Sequence, residues 1–565
     1  MAFRVLLIQA PASRNENGAG DLGGHDADRI LVPSGLLSIA SHLRAHGFGA
    51  QAINLSTFTW PQAIAAIRNR PADLFGLSCF TFHRHAAAAL AAEIKALFPT
   101  SHVTVGGPHV SALPLDWLGH YPAFDTVVIG EGEATALDLA VCLSEGRTAA
   151  GIPGTAFRAD GSPALGPPRD TIADLDSLGK PWQHFDYFSP ITSRGCPGNC
   201  TYCCTPKLWG RKIRFRSADS VLEEIEHLVA RRGHRLLKIK DDTFTAHRTR
   251  ALAICQGILD RGLELRWTCD TRVDFVTPEL LAAMRRAGCI KVSYGIESGS
   301  PKILRSIRKR TDLPQVLAAT AAARDLGMDV RFYLMVGNRG ETPGTVRRTL
   351  DLVERARPTA FYFCALTVYP GTEEFEIARD KRLLSVERFF TDMAHSEFSF
   401  NMGESSPGMS HLLNQLVGKL GGGDRPYAPY TTVEREQILA RHPDMLRSYT
   451  DLALDYCGEG RLDDAEGTLH RAAAAAGRET QGFLHHLACV HFAKKDMAAA
   501  GRFFERALAA APEDRYLRRD VAALNAAGTM NAQQQAHMAA WLFSNLRSTD
   551  PLVSGQPIVP MPLDP

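Results

Sequence analysis

The strongest constraint on what this chain can fold into is an alternation of short apolar runs with helical patterns, played twice, with glycine and polar residues directly after the runs. Between residues 1 and 145 the runs at 5–9, 50–54, 74–79, 103–105 and 126–129 read as strands, and 36–46, 61–68 and 86–98 carry helical spacing. Such alternation demands a parallel sheet covered on both faces, so a doubly wound α/β domain is expected. Open parallel sheets take their ligands beyond the strand C-termini. Gly106-Gly107-Pro108 and Gly130-Glu131-Gly132-Glu133 stand there. Between 189 and 385 the alternation returns with longer units. Runs at 191–193, 236–240, 264–269, 291–295, 331–336 and 362–368 are separated by helices such as 218–231, 278–287 and 313–326. These six βα units predict a parallel barrel, open or closed, a partial (β/α)6 with its chemistry at the strand C-termini.

The rest of the 565 residues reads differently. Residues 146–188 are rich in Pro, Gly and Asp and form a linker that could hold a small hairpin; 386–445 is a mixed connecting segment containing Gly421-Gly422-Gly423. From 446 to 548 the chain is Ala-rich and helical, without strand signals. Leu452, Ala453, Tyr456, Ala465, Leu469 and Ala472 recur 35 residues later as Leu487, Ala488, His491, Ala500, Phe504 and Ala507. Small residues at those offsets let antiparallel helices approach closely, and the pattern resembles the tetratricopeptide repeat. Residues 549–565 are a Pro-rich tail.

Lys+Arg (63) nearly cancel Asp+Glu (61), so the net charge of +2 argues against a general binder of nucleic acid or anionic membrane. No apolar run reaches the ~18 residues of a membrane-spanning helix. The N-terminal run at 3–8 is too short for a secretory signal and reads as a buried first strand. The expected location is therefore cytoplasmic, where thiols stay reduced. The basic run at 305–310 reads as a solvated helix face.

Of the 12 cysteines, eight are scattered, while Cys196, Cys200, Cys203 and Cys204 fall within nine residues. Three thiols at spacings of four and three, in a glycine-containing loop after a strand, can converge on one inorganic centre. A 4Fe–4S cluster held by three thiolates leaves one iron open. A structural zinc would need a fourth ligand from Cys204, and adjacent cysteines ligate one ion poorly.

Cys196-x3-Cys200-x2-Cys203, with Tyr202 before the third cysteine, resembles the signature of the radical S-adenosylmethionine family. The resemblance implies that the open iron chelates S-adenosylmethionine and that reductive cleavage yields a 5′-deoxyadenosyl radical, which abstracts hydrogen from an unactivated C–H bond. Lys240-Asp241-Asp242-Thr243-Phe244, Trp267–Arg272 and Gly295-Ile296-Glu297-Ser298-Gly299 resemble the family's cofactor-contacting strand ends. Gly337-Asn338-Arg339-Gly340-Glu341-Thr342 is similar to its Gly-x-Pro-Gly-Glu-Thr, with Arg339 in place of Pro, and Tyr369-Pro370-Gly371-Thr372 matches the motif after the sixth strand. Each motif alone is common; their order from Cys196 to Thr372 is specific. The implied S-adenosylmethionine contacts are Tyr202, Asp241, Asp242, Arg272, Glu297, Ser298 and Gly337, with rim ion pairs as the alternative for the carboxylates and pairing with Asp274 as an equal alternative for Arg272.

The first domain resembles the Rossmann-like cobalamin-binding domain that precedes the radical barrel in one subgroup. Pro33-Ser34-Gly35-Leu36-Leu37, Gly76-Leu77-Ser78, Gly106-Gly107-Pro108-His109 and Gly130-Glu131-Gly132-Glu133 carry the likeness. Ser34, Gly35, Ser78, Gly106, Gly107, His109, Gly130, Glu131 and Gly132 become the implied cobalamin contacts. The Asp-x-His-x-x-Gly motif that places a histidine on cobalt is missing, and His25 beside Asp26 has the wrong spacing, so cobalt without a protein imidazole is implied.

The leading expectation is a cobalamin-dependent radical C-methyltransferase. It would act on an unactivated carbon of a small-molecule, natural-product or carrier- or peptide-bound substrate, with an electron donor such as flavodoxin or ferredoxin. Two alternatives are a cyclase or rearrangement enzyme using the same cofactors, and an interaction protein whose helical repeats bind a partner beside vestigial cofactor domains.

Overall fold

All but the first side chain of β1 (Arg4–Gln9) are buried, which fits a strand with neighbours on both sides. β2 (Gly49–Asn54) and β3 (Leu74–Ser78) flank it in parallel register, with Leu7 opposite Ala52 and Gly76. β4 (His102–Gly106) and β5 (Thr126–Val128) continue outward, giving the order β2-β1-β3-β4-β5. That order reverses direction at β1, so the connections after β1 and β3 part and leave a crevice over the strand C-termini. β6 (Thr155–Ala159) pairs antiparallel with β5, and β7 (Ser162–Leu165) pairs antiparallel with β6 to close the sheet. Their turn is Asp160-Gly161, both at positive φ (+48° and +81°), the backbone of a tight two-residue hairpin. This computed structural model describes residues 3–11, 33–391, 427–527, 530 and 532–547. His25, the glycines at 421–423 and the tail at 549–565 lie outside the described residues.

The barrel departs from expectation at its first strand. β8 (Ser193–Arg194) is only two residues long and pairs antiparallel with β9 (Arg214–Phe215). Just before it, the chain runs beside β10 (Leu236–Ile239), with Lys238 N donating to Phe188 O (2.9 Å) and Lys240 N to Pro190 O (3.0 Å). Pro190 has no N–H to return, so no regular ladder forms there. The second sheet therefore has five hydrogen-bonded strands rather than six, all parallel and in sequence order. They are β10, β11 (Arg266–Thr271), β12 (Cys289–Glu297), β13 (Asp329–Val336) and β14 (Ala360–Ala365).

The two sheets are not independent bodies. One apolar core runs from Leu7, Leu37 and Leu139 through Trp182 and Phe185 to Ile239 and Trp267. The opposite face of the first sheet has its own core around Phe75 and Trp117. The helical region beneath the barrel comprises Thr432–Arg441, Leu446–Gly458, Leu462–Ala476, Gln481–Ala493, Met497–Ala510, Arg515–Ala527 and Ala532–Arg547. The repeated alanines 453, 465, 472, 488, 500 and 507 are buried between these helices. No helix among the described residues is long and apolar enough to cross a membrane.

Candidate active site

The crevice predicted by the strand order is present and is shared. The ends of β1 (Leu7, Gln9), β3 (Gly76, Ser78) and β4 (Gly106, Gly107) form one wall, with Ser34, Gly35 and the 130–133 turn. Ile191, Arg194, Trp209, Arg216 and Lys240 of the barrel side form the other, around about 2070 Å³ of atom-free space. Of the expected cobalamin contacts, Ser34, Gly35, Ser78, Gly106, Gly107, Gly130, Glu131 and Gly132 all line it. Gly107 is needed for packing rather than for approach. It sits at φ +114°, and a Cβ there would lie 2.7 Å from Cys79 O.

His109 does not line the crevice, which corrects the expectation for that residue. It is 1% exposed, its Nδ1 bonds Thr81 Oγ1 (3.1 Å), and its ring packs against Trp117 with centroids 5.6 Å apart. Burial, followed by the charge of Arg84, pushes its pKa down to about 3, so the ring is neutral. Glu131 also differs from expectation. It lines the crevice, but its carboxylate accepts from Arg194 Nη1 (2.6 Å), Arg214 Nη1 (2.6 Å) and Ile172 N (2.8 Å). Arg194 additionally donates to Glu133 Oε1 (2.5 Å), which accepts from Ser38 Oγ (2.6 Å). Burial would raise the Glu133 carboxyl, but Arg194 and Ser38 hold it below its ordinary value. The Arg194 guanidinium lies 4.8 Å from the centre of the Trp209 ring. This buried ion cluster joins the first domain to the residue two before Cys196. Its pairings span some sixty residues of sequence, which is why spacing alone did not reveal them; the local signal was only Glu131-x-Glu133 and Arg194 beside the cysteines.

The cysteine loop is pinned at both ends. Upstream, Asp241 accepts from Thr192 N (2.6 Å), Thr192 Oγ1 (2.6 Å), Ser193 N (3.1 Å) and Ser193 Oγ (2.7 Å). Two carboxylate oxygens offer about four acceptor positions, so Asp241 is saturated and holds β8 rather than facing a ligand. Downstream, Thr201 Oγ1 donates to Glu374 (2.6 Å), a fully buried carboxylate that Arg339 Nε also meets at 2.8 Å. Arg339, where the family pattern has Pro, thus buttresses the loop. Within it, a Cβ on Gly198 would lie 3.4 Å from Cys196 Sγ, 3.6 Å from Cys200 Sγ and 3.2 Å from Arg272 Nη1. Two of the thiols and a guanidinium therefore share one small space around a glycine. Arg272 is anchored by Asp274 at 2.9 and 2.8 Å, the pairing held open from sequence, and turns its remaining nitrogen to the loop. Burial pushes the Cys203 thiol up to about 11; ligation would remove that proton. No three His, Cys, Asp or Glu side chains frame a single ion among the described residues. A 4Fe–4S cluster takes one thiolate per iron, so it fits thiols spread around a glycine better than a lone ion does.

The remaining expected contacts divide. Glu297 ends β12 at φ +67°, an uncommon backbone for a non-glycine residue. Its Oε1 meets Lys309 Nζ at 3.2 Å, and its carboxylate also bonds the Tyr202 hydroxyl, whose ionisation burial and Glu297 suppress. Gly337 stands at the end of β13 at φ +87°. Asp242 has an exposed surface at the loop's open side; desolvation, with Asp241 and Asp270 behind it, still pushes its carboxyl up to about 6 against a bond from Thr205. Ser298 is a correction: it is fully buried, and its Oγ accepts from Ser300 N (3.1 Å) and meets Thr349 Oγ1 (3.3 Å), so it supports the following helix.

Known proteins match both halves of this arrangement. The model of the radical SAM superfamily covers residues 191–353, and that of the B12 binding domain covers 22–140. An uncharacterized methyltransferase of Pyrococcus horikoshii is 31% identical over 397 residues, 68% of this chain and 84% of that protein. An anaerobic magnesium-protoporphyrin IX monomethyl ester cyclase of Rubrivivax gelatinosus is 28% identical over 67% of this chain and 70% of its own. The structure of the radical S-adenosylmethionine methyltransferase TsrM from Kitasatospora setae, with cobalamin and a [4Fe-4S] cluster bound, superposes with a TM-score of 0.57 at 21% identity, over 67% of this chain and 75% of that one. The cobalamin-dependent radical enzyme OxsB gives 0.53 at 17% identity over 96% and 84%, a likeness of fold that extends through the helical region. With a cysteine loop that begins two residues after a crevice-lining arginine, these matches place the chain among the radical S-adenosylmethionine enzymes that carry an N-terminal B12-binding domain.

Proposed function

We propose that this protein is a cobalamin-dependent radical methyltransferase that places a methyl group on an unactivated carbon. One observation carries the reading. The crevice over the first sheet is walled on its far side by Ile191, Arg194 and Lys240, the residues that lead into the cysteine loop and the loop after β10. A methyl carrier and a radical generator would therefore stand side by side, as transfer to a short-lived carbon radical requires. When bound, the cluster with S-adenosylmethionine supplies hydrogen abstraction and cobalamin supplies a transferable methyl.

The chain's own groups do the positioning. Cys196, Cys200 and Cys203 hold the cluster, and the free face of Arg272 lies against the first two of them. Asp242, Glu297, Tyr202 and Gly337, at the ends of their elements, stand nearest the role of S-adenosylmethionine contacts, with Lys309 orienting Glu297. Gly106, Gly107, Gly130, Gly132, Ser34, Gly35 and Ser78 present backbone and small side chains to a large flat ligand. Since His109 is buried away from the crevice, cobalt receives no imidazole from it. The substrate is a small or carrier-bound molecule. Relatives that are cyclases support a second reading, ring formation with the same cofactors.

The test is anaerobic reconstitution with iron, sulfide and hydroxocobalamin, followed by methyl-labelled S-adenosylmethionine and a reductant. Methyl transfer predicts label on cobalamin and then on product. A reconstituted, S-adenosylmethionine-cleaving protein whose cobalamin and product both stay unlabelled is a cyclase or rearrangement enzyme instead.

A further inference from the structure

The barrel's other end carries a second cavity. It lies between the strand N-termini of the second sheet and the helical region, and holds about 1210 Å³ of atom-free space. Arg235 precedes β10, Arg266 opens β11, Arg285 lies in the last turn of the helix Pro278–Arg286, and Arg447 in the first turn of the helix Leu446–Gly458. Seven of the lining residues are arginine and two are carboxylates.

Those carboxylates, and the ones just behind them, are already engaged. Glu264 accepts from Gly482 N (2.9 Å), and Asp520 from His485 Nε2 (2.9 Å). Asp514 pairs with Arg235 and with Gln481 (2.7 Å). Asp451 accepts from Arg285 Nη2 (2.5 Å) and faces both Arg435 and Arg447 at 3.4 Å. What remains is donor capacity. Arg235 Nη2 and Arg285 Nε have no hydrogen-bond partner, although Arg285 is 1% exposed, and Arg447 Nε has only the Asp451 carboxylate, at 3.4 Å. Unpaired donors on buried cations are costly unless something outside the chain meets them. Burial, then the neighbouring charges of Arg447 and Arg235, lower Arg266 to about 9. Asp451 offsets these neighbouring cations only in part. Leu263, Phe483 and Leu546 add apolar lining, and Arg266 Nη1 donates to Leu546 O (2.5 Å).

We propose that this cavity binds a phosphorylated organic anion, its phosphates among Arg235, Arg266 and Arg447 and its carbon skeleton against Leu263, Phe483 and Leu546. Converging guanidiniums match a multiply charged, multi-oxygen head better than a single carboxylate. The site lies on the face opposite the cysteine loop, so its occupant does not compete with the reaction. By bridging β10 and β11 to the helical region, it would fasten that region to the barrel.

Inorganic pyrophosphate, the probe for the head group, tests this on the full-length protein by equilibrium dialysis and thermal melting, against sodium chloride at matched ionic strength. The expected result is one pyrophosphate per chain, a raised melting temperature, and no displacement by hydroxocobalamin. Arg447→Gln, with Arg266→Gln as a second variant in case the first does not fold, should weaken binding about tenfold or more. The unliganded variant should melt close to the parent, because Asp451 keeps Arg285 and Arg435 when Arg447 is lost, and the loss of a like-charge neighbour offsets the contact removed. The proposal is overturned if pyrophosphate binds no better than chloride, if both variants bind it as the parent does, or if hydroxocobalamin displaces it. It is equally overturned if the unliganded variants melt well below the parent, which would make these arginines structural struts.

Discussion

Replacing Arg194 by methionine (Arg194→Met) removes one partner from the buried ion cluster while keeping the length of the side chain. The loss is unequal. Glu131 keeps Arg214 at 2.6 Å and the Ile172 amide at 2.8 Å, whereas Glu133 keeps the Ser38 hydroxyl. The side chains of Arg194, Glu131 and Glu133 are 8%, 3% and 3% exposed, so water does not compensate. Stranding one partner of a buried pair costs about 3–5 kcal/mol, and here Glu133 bears most of it. In the parent, Glu133 is held below its ordinary 4.5; its contribution is present above that pH and is lost as pH falls through the depressed folded value. In the variant the sign reverses. Burial without Arg194 raises the carboxyl, the folded state takes up the extra proton, and stability falls as pH rises through the raised value. The gap between parent and variant in urea unfolding, followed by circular dichroism, should therefore be widest at pH 8 and narrow towards pH 5. Glu133→Gln in the Arg194→Met background should recover about 2 kcal/mol or more at pH 8 by removing the stranded charge. A gap that does not change with pH, together with a double variant no more stable than Arg194→Met, would refute the assignment of the loss to Glu133.

The cysteine loop and the crevice make separate predictions. Asp241→Asn replaces a carboxylate that accepts four bonds and should weaken iron binding about tenfold or more, measured by iron content after reconstitution; full iron with failed S-adenosylmethionine binding would mean that Asp241 is a ligand after all. Cys204→Ser should retain the cluster absorbance and Cys203→Ser should lose it. Gly107→Ala should cost about 1–3 kcal/mol in urea unfolding, since its φ is +114° and the added methyl would meet Cys79 O. His109→Phe should leave cobalamin affinity, read by visible titration, unchanged, because the ring lies outside the crevice.

Much of the fold was legible because periodicity and burial report the same physics. The runs at 5–9 and 74–79 are apolar because β1 and β3 are covered on both faces, and the Gly-rich turns mark the strand C-termini where the crevice lies. The missing sixth strand was also legible in part: Pro190 stands directly before the run at 191–193, and a proline cannot donate to a ladder. Asp160-Gly161 between short apolar segments signalled the hairpin on the edge of the first sheet. What could not be read was side-chain direction. Asp241 and Asp242 are adjacent and equally acidic, yet one is saturated by β8 while the other stands at the open rim. His109 and Ser298 occupy the right strand ends but point into the protein. Which neighbour satisfies a polar group is set by contacts such as Thr192–Asp241 and Ser298–Thr349, separated by about fifty residues of sequence, and no local pattern encodes them.

The same contacts suggest why so many charges are buried between the domains. Apolar packing from Leu37 through Trp182 to Trp267 joins the first sheet to the barrel, but apolar contacts tolerate sliding and rotation. Arg194 meeting Glu131 and Glu133, with Arg214 on the other oxygen of Glu131, tolerates neither without stranding charge. Arg194 lies two residues before Cys196, and Glu131 lies in the turn that lines the crevice. A shift of the first domain would therefore displace the cysteine loop or break an ion pair. Under the proposed methyl transfer, fixing the crevice against the loop in this way would limit the distance the methyl group has to cross, and positioning of that kind affects rate more steeply than binding.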